Sequence, residues 1–253
     1  MKKFIIFTVL AVVVLSSCEK INPWDGGFHS NSKNTTYYGT PVKMGNGYSR
    51  SWITISNKGV PKEIGVEMTD DVLYGLPVTN FSLVVPLHLK AKETTPFDHL
   101  YITWAGAGHP LPGTFIGPHF DARFFMTGLE EQLAIKPFAE APAGFNNYPP
   151  AGYMPASYFP DAPVPQIGLH WTDKNFTNPV TKTLILGSYD GKFTFISPIM
   201  ILEVLQSGQS YSTSYAQPKY FARTNIYYPT KYNIYMDYNT QKHFITLSDF
   251  VLR

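Results

Sequence analysis

The side chains of this chain best suited to chemistry are histidines, and three of its seven sit in short, distinctive contexts. These are Gly108-His109-Pro110, Pro118-His119-Phe120-Asp121-Ala122-Arg123-Phe124 and Gly168-Leu169-His170-Trp171-Thr172-Asp173. If residues 118–126 form a strand, side-chain alternation puts His119, Asp121 and Arg123 on one face and Phe120, Ala122 and Phe124 on the other. An imidazole, a carboxylate and a guanidinium in one row inside an aromatic sheet have to be paired or hydrated. The candidate centre is therefore His109, His119, Asp121, Arg123, His170 and Trp171. Three chemistries fit it. His109, His119 and His170 could converge on zinc or iron with Asp121 as ligand or orienter, since three imidazoles and an open position are the usual catalytic set. Asp121 and Arg123 could instead form a structural ion pair, with the histidines bonded to backbone carbonyls. The third chemistry is a polar site for a small molecule without metal.

Three of the other histidines read as structural. Asp98-His99 can hydrogen-bond and orient the start of a strand, His88 reads as a satisfied core residue, and His243 lies on a C-terminal strand that leaves it exposed. No Gly-x-Ser-x-Gly elbow, phosphate-binding loop or dinucleotide fingerprint is present. The Tyr-rich last 45 residues offer a sugar-stacking surface or, equally, strand packing.

The elements that would position these residues are mainly strands. Aromatics make up 15% of the chain and charged residues only 15%, a balance that suits pleated, half-buried surfaces. Residues 49–55 and 60–68 read as a hairpin around Asn57-Lys58-Gly59, and Thr69-Asp70-Asp71 as the cap of a short helix through Leu76. Strands are expected at 81–89, 100–104, 115–126, 166–171 and 181–189, with Asp190-Gly191 turning the last into 192–196. Thr127-Gly128-Leu129-Glu130 fits a capping box. Ser197-Pro198 reads as the start of a helix with Met200, Ile201, Val204 and Leu205 inward. Residues 137–165, with eight prolines, form a long arm expected to pack on the domain. Residues 232–238 and 243–247 complete the pattern as paired strands. The expectation is a mainly β fold, an antiparallel sheet that is barrel-like or a sandwich, with two or three short helices and a Pro-rich arm.

The motifs Thr94-Thr95-Pro96-Phe97-Asp98-His99, Gly108-His109-Pro110, Pro118-His119-Phe120-Asp121, Gly168-Leu169-His170-Trp171 and Thr181-Lys182-Thr183, with the Trp104 segment, carry a resemblance. Over residues 45–250 the chain resembles a bacterial domain-of-unknown-function family of exported proteins and lipoproteins. A Thermus protein under sigma-E envelope-stress control typifies that family. Its pattern runs Pro-His-Phe-Asp-x-His-Phe-Tyr, and this chain departs from it with Arg123 for the second His and Phe125 for the Tyr. Arg cannot ligate a metal and competes for Asp121 as an ion-pair partner. The resemblance thus implies a shared polar centre and no known activity.

Location is the most legible property. Lys2 and Lys3 precede an uncharged apolar run, Phe4 to Leu15, and Leu15-Ser16-Ser17-Cys18 supplies small residues before a cysteine. That run is too short to span a bilayer and reads as a signal peptide, residues 1–17, of lipoprotein type. Cys18 is then the lipidation site and residues 18–36 a flexible tether, leaving 37–253 as a single β-rich domain. Cleavage removes two lysines and no acid from 20 basic and 18 acidic residues, so the mature chain has 18 of each. A neutral surface argues against nucleic acid and against a polybasic membrane patch, so membrane attachment falls to acyl chains. Cys18 is the only cysteine, which excludes an internal disulfide and a thiolate metal site in the mature domain.

The expected place is the cell envelope, at the outer membrane, facing the periplasm or the cell surface. The expected function is a binding or structural, stress-related module with a buried His/Asp/Arg centre. The alternative is a metal-dependent β-barrel enzyme using His109, His119 and His170. A homo-oligomeric envelope-stress protein is a third reading, resting on the resemblance alone.

Overall fold

The computed structural model describes residues 34–108, 117–175 and 181–253, with the backbone of 30–31. The expected signal peptide, Cys18 and most of the tether lie outside the described residues, as does His109. The chain starts a first sheet with β1 (Ser30–Asn31), β2 (Asn34–Tyr38), β3 (Val42–Met44), β4 (Gly47–Ser56) and β5 (Pro61–Thr69). It crosses to a second sheet made of β6 (Phe81–Pro86), β7 (His99–Ala105), β8 (His119–Phe125), β9 (Tyr158–Val164), β10 (Gly168–Asp173), β11 (Lys182–Tyr189) and β12 (Lys192–Ile201). Then β13 (Tyr211–Ser214) returns to the first sheet. Next, β14 (Tyr227–Tyr228) precedes β15 (Lys231–Asp237) and β16 (Lys242–Ser248), and β17 (Val251–Leu252) pairs with β14 in a separate ribbon.

The first sheet runs β1-β2-β4-β5-β16-β15-β13, with β3 on the same strand β4 that carries β2; the second runs β6-β7-β8-β12-β11-β10-β9. The strand pairs are antiparallel, and the sheets stack as a sandwich rather than closing into a barrel. Four short helices complete the described elements: α1 (Leu89–Thr94), α2 (Leu129–Leu133), α3 (Pro142–Asn146) and α4 (Leu202–Gln206). None of them is long and apolar enough to cross a membrane.

Alternation decides what each strand gives to the core. Ile53, Ile64, Val66, Ile234, Ile245 and Leu247 of the first sheet meet Leu100, Ile102, Phe120, Phe124, Leu186 and Met200 of the second in one cluster. Strand β8 is buried at all seven positions, so its other face is covered too. A satellite cluster does this: Phe125, Ile185, Phe195 and Ile199 on the outer face of the second sheet, joined by Ile167 from the turn between β9 and β10. The second sheet therefore curls until its β9–β10 end lies over its own outer face.

The sequence reading needs several corrections. Residues 34–36, assigned to the tether, belong to β2 and pair with Ile55 and its neighbours on β4. The helix expected from Ser197-Pro198 is instead strand: β12 runs through Pro198 to Ile201, and only Leu202–Gln206 turn helical. The cost of a proline there is local. The ladder between β12 and β8 has Ile196 opposite Phe124 and Ile199 opposite Asp121 but skips the positions between, where Pro198 has no N–H to give. The helix expected through Leu76 is a single 3-10 turn, Asp70–Leu73. Helix α2 begins on Gly128 without the expected Thr127 capping box. His88 caps α1, a helix unmarked in the sequence, its Nδ1 accepting from the Lys90 N–H at 3.0 Å. His243 is buried, with Nε2 2.8 Å from Asp70 Oδ1. The Pro-rich arm does pack on the domain: Phe145, Met154 and Tyr158 join the main cluster.

Candidate functional site

The polar row of β8 lies on the curled outer face of the second sheet, back to back with the aromatic row that enters the core. His119, Asp121 and Arg123 are all nearly fully buried. Arg123 Nη2 donates to Asp121 Oδ2 at 2.5 Å, and Nη1 donates to Thr103 Oγ1 at 2.8 Å. Thr103 comes from β7, where it pairs with Asp121, and its hydroxyl is 3.0 Å from Ser82 Oγ on β6. On the other side, His119 Nε2 lies 3.9 Å from Asp121 Oδ1, and Nδ1 is 2.9 Å from the Gly117 carbonyl oxygen. A continuous polar line thus crosses three strands, from Ser82 through Thr103, Arg123 and Asp121 to His119.

Above this line is a cavity of about 490 Å³. One wall is polar and comes from β6 to β8: Ser82, Tyr101, Thr103, Asp121 and Arg123. The facing wall, from β9 and its turn, is largely apolar: Pro163, Val164, Pro165 and Ile167, with Asp161 and His170 at its margin. The Arg123 guanidinium stands 5.9 Å from the centre of the Phe195 ring, and the His170 ring meets the same ring edge-on at 5.8 Å. Phe195 can lie flat there because its neighbour on β11 is Gly187, where any Cβ would collide with the phenyl ring.

The facing wall is latched from beneath. Gln132 of α2 donates Nε2–H to the Gln166 carbonyl at 2.9 Å and turns Oε1 to His99 Nε2 at 2.6 Å. His99 Nδ1 is 3.0 Å from Asp98 Oδ1, and its ring stacks on Phe125 at 5.2 Å. The Gln166 N–H also donates to the Ile135 carbonyl at 2.8 Å. The Asp98-His99 pair read from the sequence therefore supports the cavity from below.

Of the residues expected to form the centre, the fold brings His119, Asp121, Arg123 and His170 to one face. Trp171 alternates to the other side of β10. Its Nε1–H donates to Ser188 Oγ at 2.8 Å and its ring meets Tyr148 edge-on, so it belongs to the core and not to the centre. His109 lies outside the described residues, and with it the three-histidine set; among the described residues no group of three or more His, Cys, Asp or Glu side chains could hold a metal ion. Sequence reasoning missed Thr103, Ser82 and the Gln132 latch. Alternation along 99–105 does put Tyr101 and Thr103 on the face of His99, but the register to β8 is not written in either strand.

The hydroxyls of Ser82 and Thr103 bond to each other and to a guanidinium, and a guanidinium cannot act as a general base. Arg123 keeps a buried Nε–H that meets no hydrogen-bond acceptor among the described residues, and Ser197 Oγ, fully buried opposite it on β12, is in the same position. Comparison with protein-family models, curated proteins and solved structures finds no match to this chain.

Proposed function

We propose that this protein is a lipid-anchored binding module of a bacterial cell envelope, and that its ligand is a small molecule held in the cavity over Asp121 and Arg123. The observation that carries the reading is the buried Asp121–Arg123 pair, held by Thr103, on one wall of a cavity of about 490 Å³ whose facing wall is largely apolar. Polar groups already fixed by one another lose little side-chain freedom when a ligand binds. Cavities of about 300–1,000 Å³ with apolar walls and a few fixed polar groups are the usual form of a small-molecule site. The polar wall would orient the ligand, and Pro163, Val164 and Ile167 would cover its apolar side. The leader ending at Cys18 supports the envelope location, with acyl chains as the membrane contact and the outer membrane as the expected site.

The test is a thermal-shift screen of small molecules against the full chain. A ligand at a hundred times its Kd should stabilise the fold by about 2.7 kcal/mol, a shift of several degrees. Ser82→Trp, at an exposed position of the polar wall, places an indole in the cavity and should weaken any hit at least tenfold. Shifts that survive Ser82→Trp would locate binding elsewhere and defeat the proposal, as would a screen with no hit.

A further inference from the structure

The outer face of the first sheet carries a second constructed surface, on the opposite side of the sandwich. Alternation brings Glu63 of β5, Thr246 and Ser248 of β16, Asn233 and Tyr235 of β15, and Ser212 of β13 to that face. They are joined in a directed network. Ser212 donates to Asn233 Oδ1 at 2.7 Å, and Asn233 Nδ2 donates to Ser248 Oγ at 2.9 Å and to Thr246 Oγ1 at 3.0 Å. The Thr246 hydroxyl then donates to Glu63 Oε1, which also accepts from Tyr235 Oη at 3.3 Å. Beside the network the Tyr235 ring stacks on Phe244, 4.9 Å away and 7° from parallel, and Trp52 meets Phe244 edge-on at 6.0 Å. A groove of about 430 Å³ runs along Glu63, Ser212, Asn233, Tyr235 and Ser248.

We propose that this groove binds a neutral saccharide. Pyranose rings present an apolar C–H face and a rim of hydroxyls that both donate and accept. A tyrosine ring fixed from behind by a second ring suits the first. A carboxylate, a carboxamide and hydroxyls held in set rotamers suit the second, because little side-chain freedom is lost on binding. Charge selects neutral sugars over acidic ones. Among the described residues Glu63 is the only charged one lining the groove, and Lys231 on the same face of β15 is engaged by Asp249 at 2.7 Å. A phosphate, uronic or sialic acid would meet the Glu63 carboxylate, while Lys182 is held over the Tyr211 ring and Lys231 by Asp249. The volume accommodates one or two sugar rings. This site is independent of the cavity over Arg123, and neither reading requires the other.

The test is titration of the full chain with maltose, cellobiose and N,N′-diacetylchitobiose by calorimetry. Saturable binding of at least one is expected, weakened tenfold or more by Tyr235→Ala. Ser212→Trp, at an exposed edge-strand position, fills the groove and should abolish binding; it carries the test if Tyr235→Ala does not fold. No saturable binding of any of the three overturns the proposal, and so does binding that Ser212→Trp leaves intact.

Discussion

At the scale of single residues, the Asp121–Arg123 pair tests how much the polar row matters to the fold. Both groups are buried, so removing one takes from the other its nearest opposite charge, at a cost of about 3–5 kcal/mol. Arg123→Ala should therefore lower the melting temperature by roughly ten degrees, whereas Asp121→Asn with Arg123→Met, which removes both charges, should recover most of the loss. Equal melting temperatures for wild type and Arg123→Ala would show that the pair is solvated. Glu63 makes a second prediction, through pH. Burial pushes its carboxyl above the ordinary value of 4.5, more than the hydrogen bonds from Thr246 and Tyr235 pull it down. The folded state thus binds this proton more tightly than the unfolded one. Its contribution to stability is fully present below pH 4.5 and is lost as pH rises through the higher folded value. Glu63→Gln should raise the melting temperature at pH 7, and the gain should vanish near pH 4. A gain independent of pH would contradict the burial argument. These residues differ in legibility. The period of two was enough to align His119, Asp121 and Arg123, because all three lie on one strand. Thr103 and Ser82 reach them only through strand register, and Glu63 meets Tyr235 across 172 residues of chain.

At the scale of elements, the curl of the second sheet depends on a latch as well as on strands. Gln132 ties α2 to the Gln166 carbonyl, and Gln166 stands at a positive φ of 60° where β9 turns into β10. Gln132→Ala should free this turn without touching the cavity wall. Amide exchange around residues 163–167 should rise, and affinity for any cavity ligand should fall, while the first sheet keeps its protection. Unchanged exchange at the turn would assign the curl to the Ile167–Phe125 packing alone. Elements with local signals were legible. Asp190 and Gly191 both take positive φ, 47° and 76°, and close the β11–β12 hairpin as the Asp-Gly pair predicts. Two elements had misleading signals. Ser197-Pro198 has the form of a helix start, but its neighbours Phe195, Ile196, Ile199 and Met200 are buried on both faces, a central-strand pattern that outweighs one missing N–H. Helix α1 is capped by His88, a residue type outside the usual caps, so nothing local announced it.

At the scale of the whole molecule, the topology was the least legible property. The first sheet is closed by β16 inserting between β5 and β15, a pairing of the chain's first third with its last that no local pattern encodes. That closure leaves two sheets whose outer faces point in opposite directions, one bearing the cavity over Arg123 and the other the groove at Glu63. A protein tethered at one end can present both faces if the tether is short but not rigid. From Cys18 to Ser30, where β1 begins, there are twelve residues, which span at most about 40 Å when fully extended. Acylation at Cys18 would therefore confine both faces to a layer within a few tens of ångströms of the bilayer. Replacing Cys18 by Ser removes the only thiol in the chain and should abolish incorporation of an alkyne-tagged fatty acid. The Cys18→Ser protein should also move from the membrane to the soluble fraction, provided that residues 1–17 are removed, because residues 18–253 balance 18 basic against 18 acidic residues and so have no basic excess to hold them at an anionic surface. A Cys18→Ser chain that stays with the membrane would transfer the attachment from lipid to the protein surface, and would make the half-buried aromatic groove of the first sheet the first place to look for it.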